Sequence, residues 1–155
     1  VVETVTPHDD GGLADAGRLL RDFNAEYDEP APEPEVLARL LRARVADGNA
    51  TVLLARDGSG EAVGIAVLRL QPSLWSDALE SYLAELYVVP ARRGQGFGRE
   101  LLEAVLTMSR EAGADYAYLI TSEDDRAAQR AYEAAGFRRT EGEGGPLMLA
   151  YERDL

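Results

Sequence analysis

Gly94, Gly96 and Gly98 stand at alternate positions in a chain of 155 residues, with Arg92, Arg93 and Arg99 around them. Glycine tolerates positive φ and has no side chain to shield its N–H, so such a loop can turn its amides onto an oxyanion. Upstream, Leu83–Val89 is an apolar run carrying one carboxylate, Glu85, and Pro90 ends it because proline has no N–H for a ladder. Downstream, Leu101, Leu102, Val105 and Leu106 recur on one helical face. A helix starting at the loop adds free N–H groups and a positive dipole end at the same spot. The chemistry implied is the holding of a phosphate or pyrophosphate. A dinucleotide fingerprint needs Gly-x-Gly-x-x-Gly, and a nucleoside-triphosphate loop needs Gly-Lys-Ser/Thr. This loop has Gly94-x-Gly96-x-Gly98, and all 16 basic residues of the chain are arginine.

The elements that must position this loop follow from apolar spacing and turn residues. Val1–Val5 alternates weakly, as an edge strand would, and Leu13–Tyr27 places Leu13, Ala16, Leu19, Leu20 and Phe23 at helical intervals. The Pro- and Glu-rich stretch 27–34 is a loop, and Glu35–Val45 is a second helix facing inward through Leu37, Leu40 and Leu41. Thr51–Arg56 and Ala62–Leu70 are strands joined by a hairpin at Asp57-Gly58-Ser59-Gly60. After an irregular stretch around Trp75, the strand 83–89 leads into the glycine loop and its helix, which closes near Gly113. Tyr116–Thr121 is a strand, and a helix follows in which Ser122-x-x-Asp125 has the form of a capping box. Gly136 stops that helix, and Phe137–Thr140 and Leu147–Tyr151 are the last strands. Strand, glycine loop, helix and strand make a βαβ unit with parallel strands. The expected fold class is mixed α/β: a mostly antiparallel sheet with helices on both faces, in one domain over 1–155.

Composition narrows the function. No window approaches the ~18 apolar residues of a membrane span, and VVETVTPHDD lacks the basic start and apolar stretch of a signal peptide. The absence of cysteine excludes thiol catalysis and cysteine metal sites and fits a cytoplasmic location. A net charge of −12 argues against nucleic acid as a partner and favours a cationic small molecule or basic peptide, with plain solubility as the alternative reading. Asp124-Asp125 is read as helix capping, so no metal is expected.

Arg93-x-x-Gly96-x-Gly98 after an apolar strand resembles the central motif of the GNAT acetyltransferases, Arg/Gln-x-x-Gly-x-Gly/Ala, which binds the pyrophosphate of acetyl-CoA. Asp125-x-x-Ala128-x-x-Ala131-Tyr132-Glu133-x-x-Gly136-Phe137 is similar to the same family's last helix, with Asp125 for asparagine and Ala131 for leucine. Leu83-x-Glu85-Leu86-Tyr87-Val88 is similar to its strand before the loop, so the resemblance spans Leu83–Phe137. It implies six to seven strands, with one parallel pair splayed so that unpaired backbone amides face the cofactor. It also implies transfer of an acetyl group from acetyl-CoA to a primary amine of a small molecule or peptide, in a ternary complex and without a covalent enzyme intermediate. Family members are often dimers, which makes a homodimer an expectation of the resemblance.

The resemblance assigns the cofactor to Leu86, Tyr87 and Val88, to Arg93, Gly94, Gln95, Gly96, Phe97, Gly98 and Arg99, and to Asp125. The Val88 N–H is the candidate for polarising the thioester carbonyl. Tyr132 is the candidate general acid, since a phenol of pKa ~10 is protonated at neutral pH; a packing tyrosine is the alternative. Glu85 is the candidate base, through water, with a structural ion pair as its alternative. Some polyamine-type relatives carry a glutamate one position earlier, where Ala84 stands, and strand alternation would then turn Glu85 to the opposite face. Trp75, Glu80 and Tyr82 are candidates for an acceptor pocket that holds a cation between carboxylates and rings. A catalytically silent CoA-binding sensor is a second reading of the same residues, and a nucleotide-binding module a third.

Overall fold

The computed structural model describes residues 1–155, which divide into two units, Val1–Tyr118 and Leu119–Leu155. In the first, β1 (Val2–Thr4), α1 (Asp10–Glu26), α2 (Pro34–Ala46), β2 (Thr51–Arg56), β3 (Ala62–Pro72), β4 (Leu79–Val88) and α3 (Phe97–Glu111) follow one another, and β5 (Ala114–Leu119) runs across its end. The strands form one five-stranded sheet in the order β1-β2-β3-β4-β5. The first three pairings are antiparallel, and the crossover through α3 makes β4 and β5 the parallel pair.

Two apolar layers clamp this sheet. Leu13, Ala16 and Leu19 of α1 and Leu41 of α2 are buried with Val52, Leu54, Ile65, Val67 and Tyr87 on one face. On the other, Leu101, Leu102 and Val105 of α3 are fully covered. A Cβ on Gly64 would meet Leu101 Cδ1 at 3.0 Å and Val88 Cγ2 at 3.3 Å, so glycine here lets α3 lie close over β3 and the end of β4. Each fully buried leucine contributes about 1.5–3 kcal/mol of transfer free energy.

Several boundaries differ from expectation by a few residues, β5 at Ala114–Leu119 instead of Tyr116–Thr121 among them, and three differences go further. β4 begins at Leu79 rather than Leu83, because Gln71 and Pro72 pair with Glu80 and Leu79 and extend the hairpin. In the second unit, α4 (Arg126–Ala134) is capped by Asp125 itself, whose carboxylate accepts from the Ala128 N–H at 3.0 Å, and not by a Ser122 box. The two C-terminal strands do not form. A single bridge between Thr140 and Leu147 stands in their place, and the glycines at 142 and 144 take positive φ between them. The sheet therefore has five strands where six to seven were expected.

β4 carries a bulge. Val67 lies opposite Glu85 but Leu68 lies opposite Leu83, so Ala84 is an extra residue with no partner. Ser81 and Leu83 face α3, where the Ser109 hydroxyl donates to Ser81 Oγ at 2.8 Å. Past the bulge the parity reverses, and Glu85 and Tyr87 face α1 and α2 with Val67 and Ile65. The simple alternation that would separate positions 84 and 85 does not hold across Ala84.

Candidate active site

The loop before α3 has the backbone of an anion cradle. Gly94 and Gly96 sit at φ +75° and +96°, where an L side chain is strained, and a Cβ built on either meets nothing within 4 Å. Gly98 has ordinary φ and open surroundings apart from Val88 Cγ2 at 3.7 Å. Gly96 is the N-cap of α3 and offers no side-chain acceptor. Glu100 is the first residue to bond back, to Gly96 O at 2.9 Å, so the amides of Phe97, Gly98 and Arg99 lack intrahelical partners. Gln95 turns its amide to Ala91 O at 3.3 Å and leaves the concave side clear. Free donors, a helix dipole and room where side chains would stand fit a diphosphate, the group that the resemblance implies.

The arginines around the loop are held by the protein. Arg93 grips Glu26 with both terminal nitrogens at 2.7 and 2.6 Å, donates Nε to Val88 O at 2.9 Å, and lies 5.6 Å from the Tyr87 ring centroid. The Arg93 hydrogen bond and charge hold the Glu26 carboxyl below its usual range, and burial beside Glu26 pushes the Tyr87 phenol up. Arg92 is paired with Asp57 at 2.7 Å. Arg99 is exposed and only loosely paired with Glu103 at 3.7 Å. Arg93 thus faces Glu26, a residue that no local pattern in the sequence connects with the loop.

Main-chain direction decides what β4 offers at its free end. The Val89 N–H donates to Val63 O at 2.9 Å, so Tyr87 also bonds toward β3, while the N–H groups of Leu86 and Val88 point to the opposite side. There the Leu79 N–H donates to Gly113 O at 3.1 Å, which sets the start of β5 beside the start of β4. Farther along, the Tyr82 and Tyr118 rings stack at 4.9 Å across the same two strands. Leu86–Val88 therefore runs on past Tyr118, with two amides aimed away from the antiparallel ladder.

Glu85 is half-buried in β4, and burial pushes its carboxyl above the usual range, opposed by the charge of Arg69. Glu80 and Tyr82 share that sheet face: Tyr82 lies opposite Arg69, and Glu80 lies opposite Gln71, which approaches it at 3.5 Å. Tyr116 stacks on Tyr118 at 5.9 Å and extends the row of rings. Trp75 is 91% exposed at the tip of the β3–β4 hairpin, beyond this row. In the second unit, Tyr132 is half-buried and packs edge-on against Phe137 at 6.1 Å. Arg69, Tyr116, Tyr118 and Glu26 are the site residues that the sequence reading passed over. The signal for Arg69 was the one that marked Glu85, a lone charge inside an apolar strand.

The family model described as the acetyltransferase (GNAT) family matches residues 17–137. An aminoglycoside N(6')-acetyltransferase type 1 of Stenotrophomonas maltophilia is 36% identical over 143 residues, which cover 90% of this chain and 87% of that protein. An aminoalkylphosphonate N-acetyltransferase of Salmonella typhimurium is 34% identical over 82 residues, 53% of each chain. The crystal structure of a protein from Arthrobacter sp. FB24 described as an acetyltransferase superposes with a TM-score of 0.87 at 37% identity, over 100% of this chain and 96% of that one.

Proposed function

Because this chain belongs to the GNAT acetyltransferase family, we propose that it transfers an acetyl group from acetyl-CoA to the primary amine of a small molecule by direct attack. The observation that carries the reading is the conjunction in β4 and the start of α3. Unpartnered first-turn amides beside two positive-φ glycines lie one loop away from amides directed off the edge of the strand. Acetyl-CoA supplies the activated acyl group as its thioester. The amides of residues 94–99 hold the diphosphate, and the backbone of Leu86 and Tyr87 lines the cofactor's arm. The Val88 N–H donates to the thioester oxygen as charge develops on it. Glu85 takes the proton of the incoming amine, directly or through water, and its raised pKa makes it a better base than an ordinary carboxylate. Tyr132 gives its proton to the departing thiolate, with Asp125 fixing the start of its helix. The family match crosses the boundary between the two units, which supports reading 1–155 as one catalytic domain. The relatives' names span two acceptor types, a polycationic aminoglycoside and an amine that carries its own phosphonate. A silent CoA sensor would share the cradle but have no use for a half-buried acid on the acceptor side.

Calorimetry with CoA and ATP, followed by thiol release over an amine panel, tests the reading. CoA binds and ATP does not, and Tyr132→Phe lowers kcat by about 10²-fold with CoA affinity unchanged. Equal turnover in Tyr132→Phe removes that residue from its role, and ATP binding without CoA binding removes the transferase.

A further inference from the structure

Most arginines of the first unit sit in an ion pair, Arg56 with Glu3 and Asp15 and Arg92 with Asp57 among them. Arg69 forms none. It is exposed in β3, directly opposite Tyr82 and two residues from Val67, the partner of Glu85. Arg69, Tyr82 and Glu85 share one face because the bulge at Ala84 turns Glu85 to that side. Diagonal neighbours across a strand pair lie about 7–8 Å apart at Cα, a span that one small molecule can bridge. Beside them Tyr82, Tyr118 and Tyr116 form a stacked row whose hydroxyls have no hydrogen-bond partner in the protein.

We propose that Arg69 is the anion anchor of the acceptor site, so that the preferred acceptor is a small amine bearing its own carboxylate or phosphonate, anion on Arg69 and nitrogen toward Glu85. This rests on the transferase reading above and names its substrate class. The two charges of such a molecule meet Arg69 and Glu85 in order, with Glu80 farther along the same face opposite Gln71. A polycation would bring like charge against an unpaired guanidinium. The chain's net −12 does not reverse this. At physiological ionic strength charges more than about 8 Å away are largely screened, whereas Arg69 would lie in contact. Arginine also suits the task chemically, since its planar fork binds carboxylate and phosphonate oxygens in pairs.

Thiol release from acetyl-CoA is measured for glycine and 2-aminoethylphosphonate, for glycinamide as the uncharged counterpart, and for kanamycin and spermidine, in wild type, Arg69→Gln and Arg69→Lys. The anionic acceptors exceed glycinamide by about tenfold or more in kcat/KM. Arg69→Gln raises their KM about tenfold and lowers the acid-to-amide ratio in kcat/KM by a similar factor, and Arg69→Lys recovers part of the loss. Preference for kanamycin or spermidine, or an acid-to-amide ratio unmoved by Arg69→Gln, overturns the proposal. If CoA binds and no amine releases thiol, the transferase reading fails by itself. Calorimetry of the CoA complex with 2-aminoethylphosphonate then decides the anchor: heat in wild type that Arg69→Gln abolishes upholds it, and no heat in wild type, or equal heat in both, overturns it.

Discussion

Glu26 and Glu85 are carboxylates of opposite character, and the difference is measurable. Glu26 is ionised into two hydrogen bonds from Arg93, and its pKa lies below the usual value. Its stabilisation is therefore present above the unfolded-state carboxylate pKa and is lost as pH falls through the lowered folded value. Glu85 is half-buried, with the effect of burial opposed only at a distance by the charge of Arg69, and its pKa lies above the usual value. Its contribution runs the other way: full below the ordinary carboxylate pKa and lost as pH rises through the raised one. Chemical denaturation at pH 7 is expected to show Glu26→Gln less stable by about 1 kcal/mol, as for a part-exposed ion pair. Glu85→Gln is expected to be at least as stable as wild type while kcat falls about 10²-fold. A stable but inactive variant marks a residue kept for chemistry, and the acid limb of kcat/KM in wild type should sit above an ordinary carboxylate's pKa. If Glu85→Gln unfolds the protein or leaves turnover intact, Glu85 is structural. From the sequence, Glu85 was visible as a charge in an apolar run. The Glu26–Arg93 clamp was not, because its partners are 67 residues apart and each is an ordinary surface residue in its own stretch.

At the scale of elements, the glycine loop was legible because positive φ leaves glycine little competition, so the chain must write its turn in residue types. The helix behind it was legible through the 3.6-residue recurrence of Leu101, Leu102 and Val105, all buried. The bulge was not legible, since an unpaired alanine carries no signal. The last two strands were not legible, because the unbroken apolar run at 147 to 151 reads as a strand but remains largely exposed. The close approach of α3 to β3 at Gly64 gives this level its prediction. A Cβ there meets Leu101 Cδ1 at 3.0 Å, Tyr87 O at 3.2 Å and Val88 Cγ2 at 3.3 Å, two of them on the strand end that lines the site. Gly64→Ala should cost about 1–3 kcal/mol by urea melt and weaken CoA binding together with stability. A neutral result would mean that α3 rides on the sheet with slack.

For the molecule as a whole, charge is the dominant quantity. The net −12 leaves carboxylates in excess even though many arginines are paired, and most of the ion pairs are exposed ones worth about 0–1 kcal/mol. Self-repulsion of the excess should therefore outweigh the pairs. Raising salt from about 0.01 M to 0.15 M shortens the screening length from ~30 to ~8 Å. The thermal midpoint should rise by about 3 °C, equivalent to roughly 1 kcal/mol. A fall in midpoint would show that the arginine pairs matter more than the surplus. No helix is long and apolar enough to cross a membrane.

The extra residue at position 84 acts as a parity bit for the chain. Were Ala84 drawn into the ladder opposite Val67, inside and outside would be exchanged for the final stretch of β4, carrying the carboxylate of Glu85 to the α3 layer and stranding the Tyr87 ring away from Phe23, which it now meets edge-on at 5.1 Å. Deleting that one residue, by contrast, would leave Glu85 opposite Val67 and Tyr87 opposite Ile65, so a chain shorter by this codon would keep both the cofactor grip and the chemistry presented to whatever amine arrives.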